Sequence, residues 1–273
     1  MKQREIETIK LSIADLTFGD EYLFETILLE NIELTKLLIE KLTGIPDIED
    51  IVHISTEETH KYTYRNKGVR FDVYVKSQTG VAYIVELQRI DTKEMPKRMR
   101  YYQVMSDSKQ LPKGKVHNYK DLKDNYVILI SREDIFGMGQ YKYSFENMCH
   151  EIEGLKLNDG THKIVYNTQG IKGEVCEDIK AFLDAIEGKP SDNLFVKQFE
   201  DAAEKIKADE KWREAYMQSL LRDQDKFDAG VEKGREEEKI EIAKNLLELG
   251  ISVEDVAKGT GLSVEYLKKE ILI

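Results

Sequence analysis

Two carboxylates and an amide stand close together in the first third of the chain: Asp72, Glu86 and Gln88. Glu86 is flanked by Ile84, Val85 and Leu87, so its charge falls inside an apolar run. A carboxylate buried without a partner is costly, and it either meets a cation or takes up a proton. Two close carboxylates repel and raise one pKa, unless a divalent ion sits between them. Ligation by oxygen alone suits Mg²⁺ or Mn²⁺, with water and a substrate phosphate completing the octahedron. A second reading stays open: Asp72 and Glu86 lie on a solvated sheet face, or pair with Arg70 and Arg89. The spacing alone does not choose between them.

The elements that must position these groups are two strands. With period two, Phe71, Val73 and Val75 form one face and Asp72 and Tyr74 the other. The polar stretch Ser77-Gln78-Thr79-Gly80 turns the chain. In the next strand Val81, Tyr83, Val85 and Leu87 share one face, and Ala82, Ile84, Glu86 and Gln88 the other. A three-residue connection, Gln78 to Gly80, sets Asp72 opposite Glu86 and puts Gly80 in the left-handed region.

The arrangement resembles the PD-(D/E)XK nuclease superfamily and, within it, the Rpn family of recombination-promoting nucleases, also labelled transposases. The resemblance extends to the opening GDEYLF, the KRMRYYQ segment, the strand NYVILIS and the stretch IFGMGQYKYSFEN. It covers roughly the first 170 residues, and the helical tail is similar too. It implies that Asp72, Glu86 and the Leu87 carbonyl hold the metal. Gln88 takes the position where most branches carry Lys and some carry Gln. In relatives an acidic residue at the start of the first helix leans over the metal. Asp20 is the best positional match and Glu25 the alternative, while the plain reading of Asp20 is a helix N-cap.

The fold expected is α/β (α+β), a restriction-endonuclease-like core with a central mixed sheet flanked by helices, plus a C-terminal helical tail. Residues 1–172 read as the nuclease domain, 173–233 as a charged helical segment and 234–273 as a small helical tail. Length and an apolar content of 41% support a real core. Cys149 and Cys176 lack metal-ligand spacing and read as reduced thiols. The start, MKQREIETIK, has no apolar stretch of a signal peptide, and no run approaches membrane-spanning length. A cytoplasmic location and no membrane partner are expected.

A net charge of −11 argues at first against nucleic acid. Distribution matters more. From Arg89 to Lys120 nine Lys/Arg face three acids, directly after the proposed metal site. A phosphate-binding edge and a solvated helix face are both open readings of that block. Within it Pro96 suits the first turn of a helix. Arg98 and Tyr102 fall one turn apart, where they can face the cleft and steady a phosphate. Lys97 and Arg100 complete the expected DNA-binding set. The plain reading is that Tyr101, Tyr102 and Met105 pack this helix on the sheet.

Elsewhere the periodicity predicts one helix from about Asp20 to Leu42, ended by Gly44 and Pro46. It predicts strands over 48–56, 126–130, 141–145 and 163–166. His53 reads as a packing or edge residue. Helices are expected over 177–187 and from 193 to about 239, with a break near Asp228-Ala229-Gly230. The end, ISVEDVAKGTGLSVEYLKKEI, has helix-turn-helix spacing, with Val256, Ala257, Gly261, Leu262 and Leu267 at its packing positions. Its second helix offers mainly Lys268 and Lys269, so packing or homo-oligomer formation through the tail is favoured over DNA recognition there.

The function expected is a metal-dependent DNA endonuclease, hydrolysing phosphodiesters and promoting recombination or transposition. The alternative is a catalytically weak or inactive nuclease-fold protein acting as a DNA-binding or self-associating module.

Overall fold

The computed structural model describes residues 13–55, 72–89, 93–111 and 118–271. The chain divides into two compact units, Met1–Glu210 and Lys211–Ile273.

The first unit is built on a mixed six-stranded sheet. In chain order the strands are β1 (Ile51–Ser55), β2 (Val73–Ser77), β3 (Ala82–Gln88), β4 (Asn125–Ser131), β5 (Lys142–Phe145) and β6 (Thr161–Asn167). Their spatial order is β1-β2-β3-β4-β6-β5. β1, β2 and β3 pair antiparallel, β3, β4 and β6 run parallel, and β5 returns antiparallel to β6. β4 is buried along its whole length and β3 along all but its last residue. That is why NYVILIS reads as a continuous apolar run and not as an alternation.

Helix α3 (Met95–Gln110) covers one face of the sheet. Its Met95, Met99, Tyr102 and Met105 pack on Tyr74, Ala82, Ile84, Val127, Leu129 and Val165. Pro96 lies in its first turn, as the sequence indicates. The remaining helices of this unit are α1 (Glu21–Glu30), α2 (Ile32–Thr43), α4 (Glu177–Ile186) and α5 (Leu194–Ala208). Phe18, Phe24, Phe182, Phe195 and Phe199 tie α1, α4 and α5 together. Phe182 lies 5.4 Å from Phe18, 6.3 Å from Phe24, 5.7 Å from Phe195 and 5.0 Å from Phe199.

Two expectations about helices are corrected. The single helix from Asp20 to Leu42 is two helices, broken at Asn31, whose φ of −124° and ψ of 77° leave the helical region. The Asn31 side chain donates to the Ile27 carbonyl at 2.9 Å, and Thr35 Oγ1 donates to the Leu28 carbonyl at 2.7 Å. The Ile27 carbonyl also keeps the Asn31 N–H, and the Thr35 hydroxyl satisfies a carbonyl that the break would orphan. The break expected near Asp228-Ala229-Gly230 does not exist: helix α6 runs unbroken from Glu210 to Glu248. Glycine lowers helix stability by about 1 kcal/mol but creates no clash. Side-chain pairs one turn apart, Lys226 with Asp223, Gln224 with Asp228 and Lys233 with Glu237, bridge the stretch. The interruption falls at Asp209, extended at φ −73° and ψ 122°.

In the second unit α6 leads to α7 (Val253–Thr260) and α8 (Val264–Tyr266), which continues as a wider turn over Leu267–Ile271. Ala243, Val256 and Leu267 form its core, with Leu246, Leu247, Val253, Ala257 and Leu262 packed on them. Gly261 ends α7 at φ 74°, a conformation open to glycine at little cost. No helix among the described residues is long and apolar enough to cross a membrane.

Candidate active site

The hairpin between β2 and β3 sets the geometry. Val73 pairs with Val85 and Tyr74 with Ile84, and the Ser77 N–H donates to the Val81 carbonyl. The connection is therefore the three residues Gln78 to Gly80, with Gly80 at φ 95°. One step further along the same register, Asp72 falls opposite Glu86. Asp72 Oδ2 accepts from the Leu87 N–H at 3.3 Å, which ties the carboxylate to the third strand. Phe71 and Arg70 lie outside the described residues.

Glu86 is 2% exposed. Its Oε1 accepts from Arg98 Nη2 at 2.5 Å and from the Tyr102 hydroxyl at 3.1 Å. Its Oε2 is buried with no hydrogen-bond partner. Burial, then the charge of Asp72, push this carboxyl up to about 8, against the pull of Arg98 and Tyr102. The 2.5 Å contact with Arg98 alone would argue for a fully ionised group. Desolvation outweighs it, because a carboxylate walled by β-strands loses most of its hydration.

Arg98 is the hub. It reaches Glu86 and Tyr102 through Nη2, Tyr102 again through Nε at 3.2 Å, and Gln88 Oε1 through Nη1 at 3.1 Å. A guanidinium only donates, so the carbonyl end of the Gln88 amide faces it and the amide N–H₂ is its other end. A lysine at position 88 would point a second cation at this guanidinium. Arg98 and Tyr102 thus turn toward the site, one helical turn apart, while Lys97 and Arg100 lie on the exposed side of α3 beside Tyr101 and Val104. Tyr102 and Met105 pack on the sheet and Tyr101 is 37% exposed.

At the start of α1, Asp20 accepts from the Leu23 N–H at 3.0 Å and caps the helix. The next residue, Glu21, reaches the sheet: its Oε1 accepts from the Arg89 N–H at 3.2 Å. Burial raises the Glu21 pKa, and its charge contributes to the rise at Glu86. Glu25 lies one turn on, partly exposed. Sequence reasoning missed Glu21. The signal was present in GDEYLF, because an aspartate spent on the cap leaves the following acid free to face the strand ends.

The donor set fits a hard divalent cation. An orphaned, sealed carboxylate oxygen beside a second carboxylate lacks the partner that buried charge requires. Among the described residues no group of three or more His, Cys, Asp or Glu side chains stands at metal-holding spacing. Two carboxylates with a main-chain carbonyl agree with an ion that keeps much of its water, as Mg²⁺ does.

The family model of the PD-(D/E)XK nuclease family transposases matches residues 17–165, from ahead of α1 into β6. The model of the C-terminal HTH domain of the Rpn/YhgA-like nuclease family matches residues 236–269. The chain belongs to the PD-(D/E)XK nuclease family transposases, of the Rpn type. Neither a curated protein nor a solved structure matches it.

Proposed function

We propose that the protein is a metal-dependent DNA endonuclease that hydrolyses phosphodiester bonds in the service of recombination or transposition. The observation that carries this reading is Glu86: sealed from solvent, its pKa raised by that burial and then by Asp72, and left with one oxygen unpaired. Asp72, Glu86 and the Leu87 carbonyl are the proposed ligands of Mg²⁺ or Mn²⁺. When bound, such an ion supplies Lewis-acid polarisation of a phosphoryl oxygen.

The chain's own groups divide the remaining work. Arg98 and Tyr102 hold Glu86 Oε1, so the carboxylate cannot rotate freely and Oε2 stays the end without a hydrogen bond. Gln88 cannot act as a base, but its amide N–H₂ can donate to a phosphate oxygen or to the attacking water. Arg98 supplies the fixed positive charge that a lysine carries in other branches, and it never loses its proton. Glu21 adds a third acid at the mouth of the site. Asp20 acts on it indirectly, by anchoring the helix that presents Glu21. Lys97 and Arg100, exposed on α3, would contact the DNA backbone through their charge.

The test is incubation of pure protein with supercoiled plasmid, with and without Mg²⁺ or Mn²⁺. Cutting that requires the ion and vanishes in Asp72→Ala and Glu86→Gln is the expected result. Equal cutting by the double variant ends the proposal.

A second reading has one observation behind it. The guanidinium donors of Arg98 are already engaged on Glu86, Gln88, Tyr102 and Met95 Sδ, and no lysine stands at position 88. A nuclease fold retained for DNA binding would bind the ion and DNA without cleaving.

For the tail, residues 236–269 carry eight Asp/Glu against five Lys/Arg, which opposes phosphate contact. Its helix-turn-helix family nevertheless supports DNA binding, and self-association fits the charge better. Mass in solution, before and after removal of residues beyond Gly234, separates the two.

A further inference from the structure

The end of the sheet where Gln88, Ser131 and Asn167 lie side by side also carries an exposed apolar tip, in the loops that follow β4 and β6. Met138 is 63% exposed and Ile171 is 79% exposed. Single exposed apolar side chains are ordinary, but these two are braced against each other by main chain. The N–H groups of Ile171 and Lys172 both donate to the Gly139 carbonyl at 2.9 Å, and the Tyr141 N–H donates to the Lys172 carbonyl at 2.9 Å. Asp134 Oδ2 accepts from the Gly139 N–H at 2.6 Å, and its carboxylate also accepts from the Tyr143 hydroxyl. Gly139 holds φ 75°, and a methyl group there would lie 3.3 Å from the Ile171 side chain. The tip is a fixed projection made from two loops.

Its place relative to the site follows from the register. Gln88, Ser131 and Asn167 lie side by side across β3, β4 and β6, and the Asn167 N–H donates to the Tyr141 carbonyl. Three strand spacings of about 4.8 Å put Tyr141 roughly 15 Å from Gln88 at the same level of the sheet. Ile135, Phe136 and Tyr143 pack on the core under α3, so the loop bearing Met138 folds over the face that holds Glu86. Lys172 adds the positive charge, its Nζ lying 3.3 Å from the Met138 carbonyl.

We propose that Met138 and Ile171 form a wedge that presses into a base step of the duplex whose backbone crosses Glu86 and Gln88. This rests on the nuclease reading. At about 3.4 Å per step, the roughly 15 Å from Gln88 to Tyr141, at the base of the tip, corresponds to four or five base steps along such a duplex. Apolar wedges of this kind unstack a step and hold a bent duplex against more protein surface. The wedge would favour easily unstacked pyrimidine–purine steps, giving the enzyme a preference without base-edge hydrogen bonds.

The experiment uses the full chain without divalent ion and duplexes carrying 2-aminopurine at pyrimidine–purine steps. Wild type is expected to raise the fluorescence on binding. Met138→Ala/Ile171→Ala is expected to abolish that rise and to weaken binding by about tenfold, with an unchanged thermal melt. Lys172→Ala is expected to weaken binding but to keep the rise at saturating protein. An unstacking signal unchanged in the double variant overturns the wedge. So does a double variant whose only change is in solution mass, which would mark the tip as a contact between protein copies. Plasmid cutting is scored separately. Metal-dependent cutting by wild type with no unstacking sinks the wedge alone, and unstacking with no cutting sinks the nuclease reading alone.

Discussion

The two ends of the three parallel strands carry similar side chains and put them to opposite uses. At one end Glu86 meets Arg98; at the other Glu146 meets Lys156 and His162. Glu86 is sealed, and burial drives its carboxyl up to about 8. Glu146 is solvated, and Lys156 first, then His162, hold its carboxyl below the ordinary range. His162 lies 3.5 Å from Asp124 and 3.7 Å from Glu146. It also stacks on Tyr126, which stacks on Tyr83, with centroids 4.4 and 5.2 Å apart. Charge pairing alone therefore marks neither end as reactive. What separates them is exposure: at one end Asp124 and Glu146 lie open to solvent, while at the other one oxygen of Glu86 is buried without a hydrogen bond.

Removing the buried carboxylate should have the largest effect. Glu86→Gln is expected to cut the plasmid-nicking rate on the order of a thousandfold, several kcal/mol of transition-state stabilisation at tenfold per 1.36 kcal/mol. A variant within tenfold of wild type would erase the contrast between the two ends.

Next comes a dependence on pH. The folded pKa of Glu86 lies above its unfolded value, so between about 4.5 and 8 the native state holds a proton that the unfolded chain has lost. Stability of the metal-free protein should then fall as pH rises through that window, by on the order of a few kcal/mol. Urea unfolding at pH 5, 6.5 and 8 measures it. Glu86→Gln should flatten the slope, and an equal slope in the variant would assign it to other groups.

Arg98→Met leaves Glu86 with a neutral hydroxyl as its only partner. Breaking a buried pair costs about 3 kcal/mol, and the one-third exposure of Arg98 argues for the lower side of that figure. Arg98→Lys should fold nearly as well yet cut at least tenfold more slowly, because one ammonium cannot bridge Glu86, Gln88 and Tyr102 together. Matched unfolding curves and nicking rates distinguish the two substitutions.

The smallest effect belongs to the exposed end. His162→Phe keeps the ring stack and loses only solvated ion pairs, so stability should change by about 0.5 kcal/mol or less and nicking by under twofold. A larger loss of nicking would mean that this end takes part in the reaction.

Much of the hairpin was legible because two local signals agree. Alternation over residues 72–88 fixes the faces, and a glycine able to take positive φ fixes the loop length. The pairing of Asp72 with Glu86 follows from those two facts alone. The direction of Arg98 and Tyr102 was legible from their helical spacing. Their partners were not, because nothing local says that a guanidinium twelve residues beyond Glu86 returns to it and to Gln88. The break at Asn31 escaped notice because apolar spacing continues across it and neither glycine nor proline marks it. The opposite holds near Asp228-Ala229-Gly230, where a glycine suggests a break and the charged pairs around it carry the helix through. In GDEYLF two adjacent acids compete for one role, and only the packed structure shows that Asp20 takes the cap and Glu21 the strand end.

The loop from Gln78 to Gly80 lies at the far end of the hairpin from both carboxylates, yet it acts as their spacer. One residue more or less there would slide β2 against β3 and carry Asp72 to the opposite side. The length of a loop remote from both carboxylates thus decides whether they share a face.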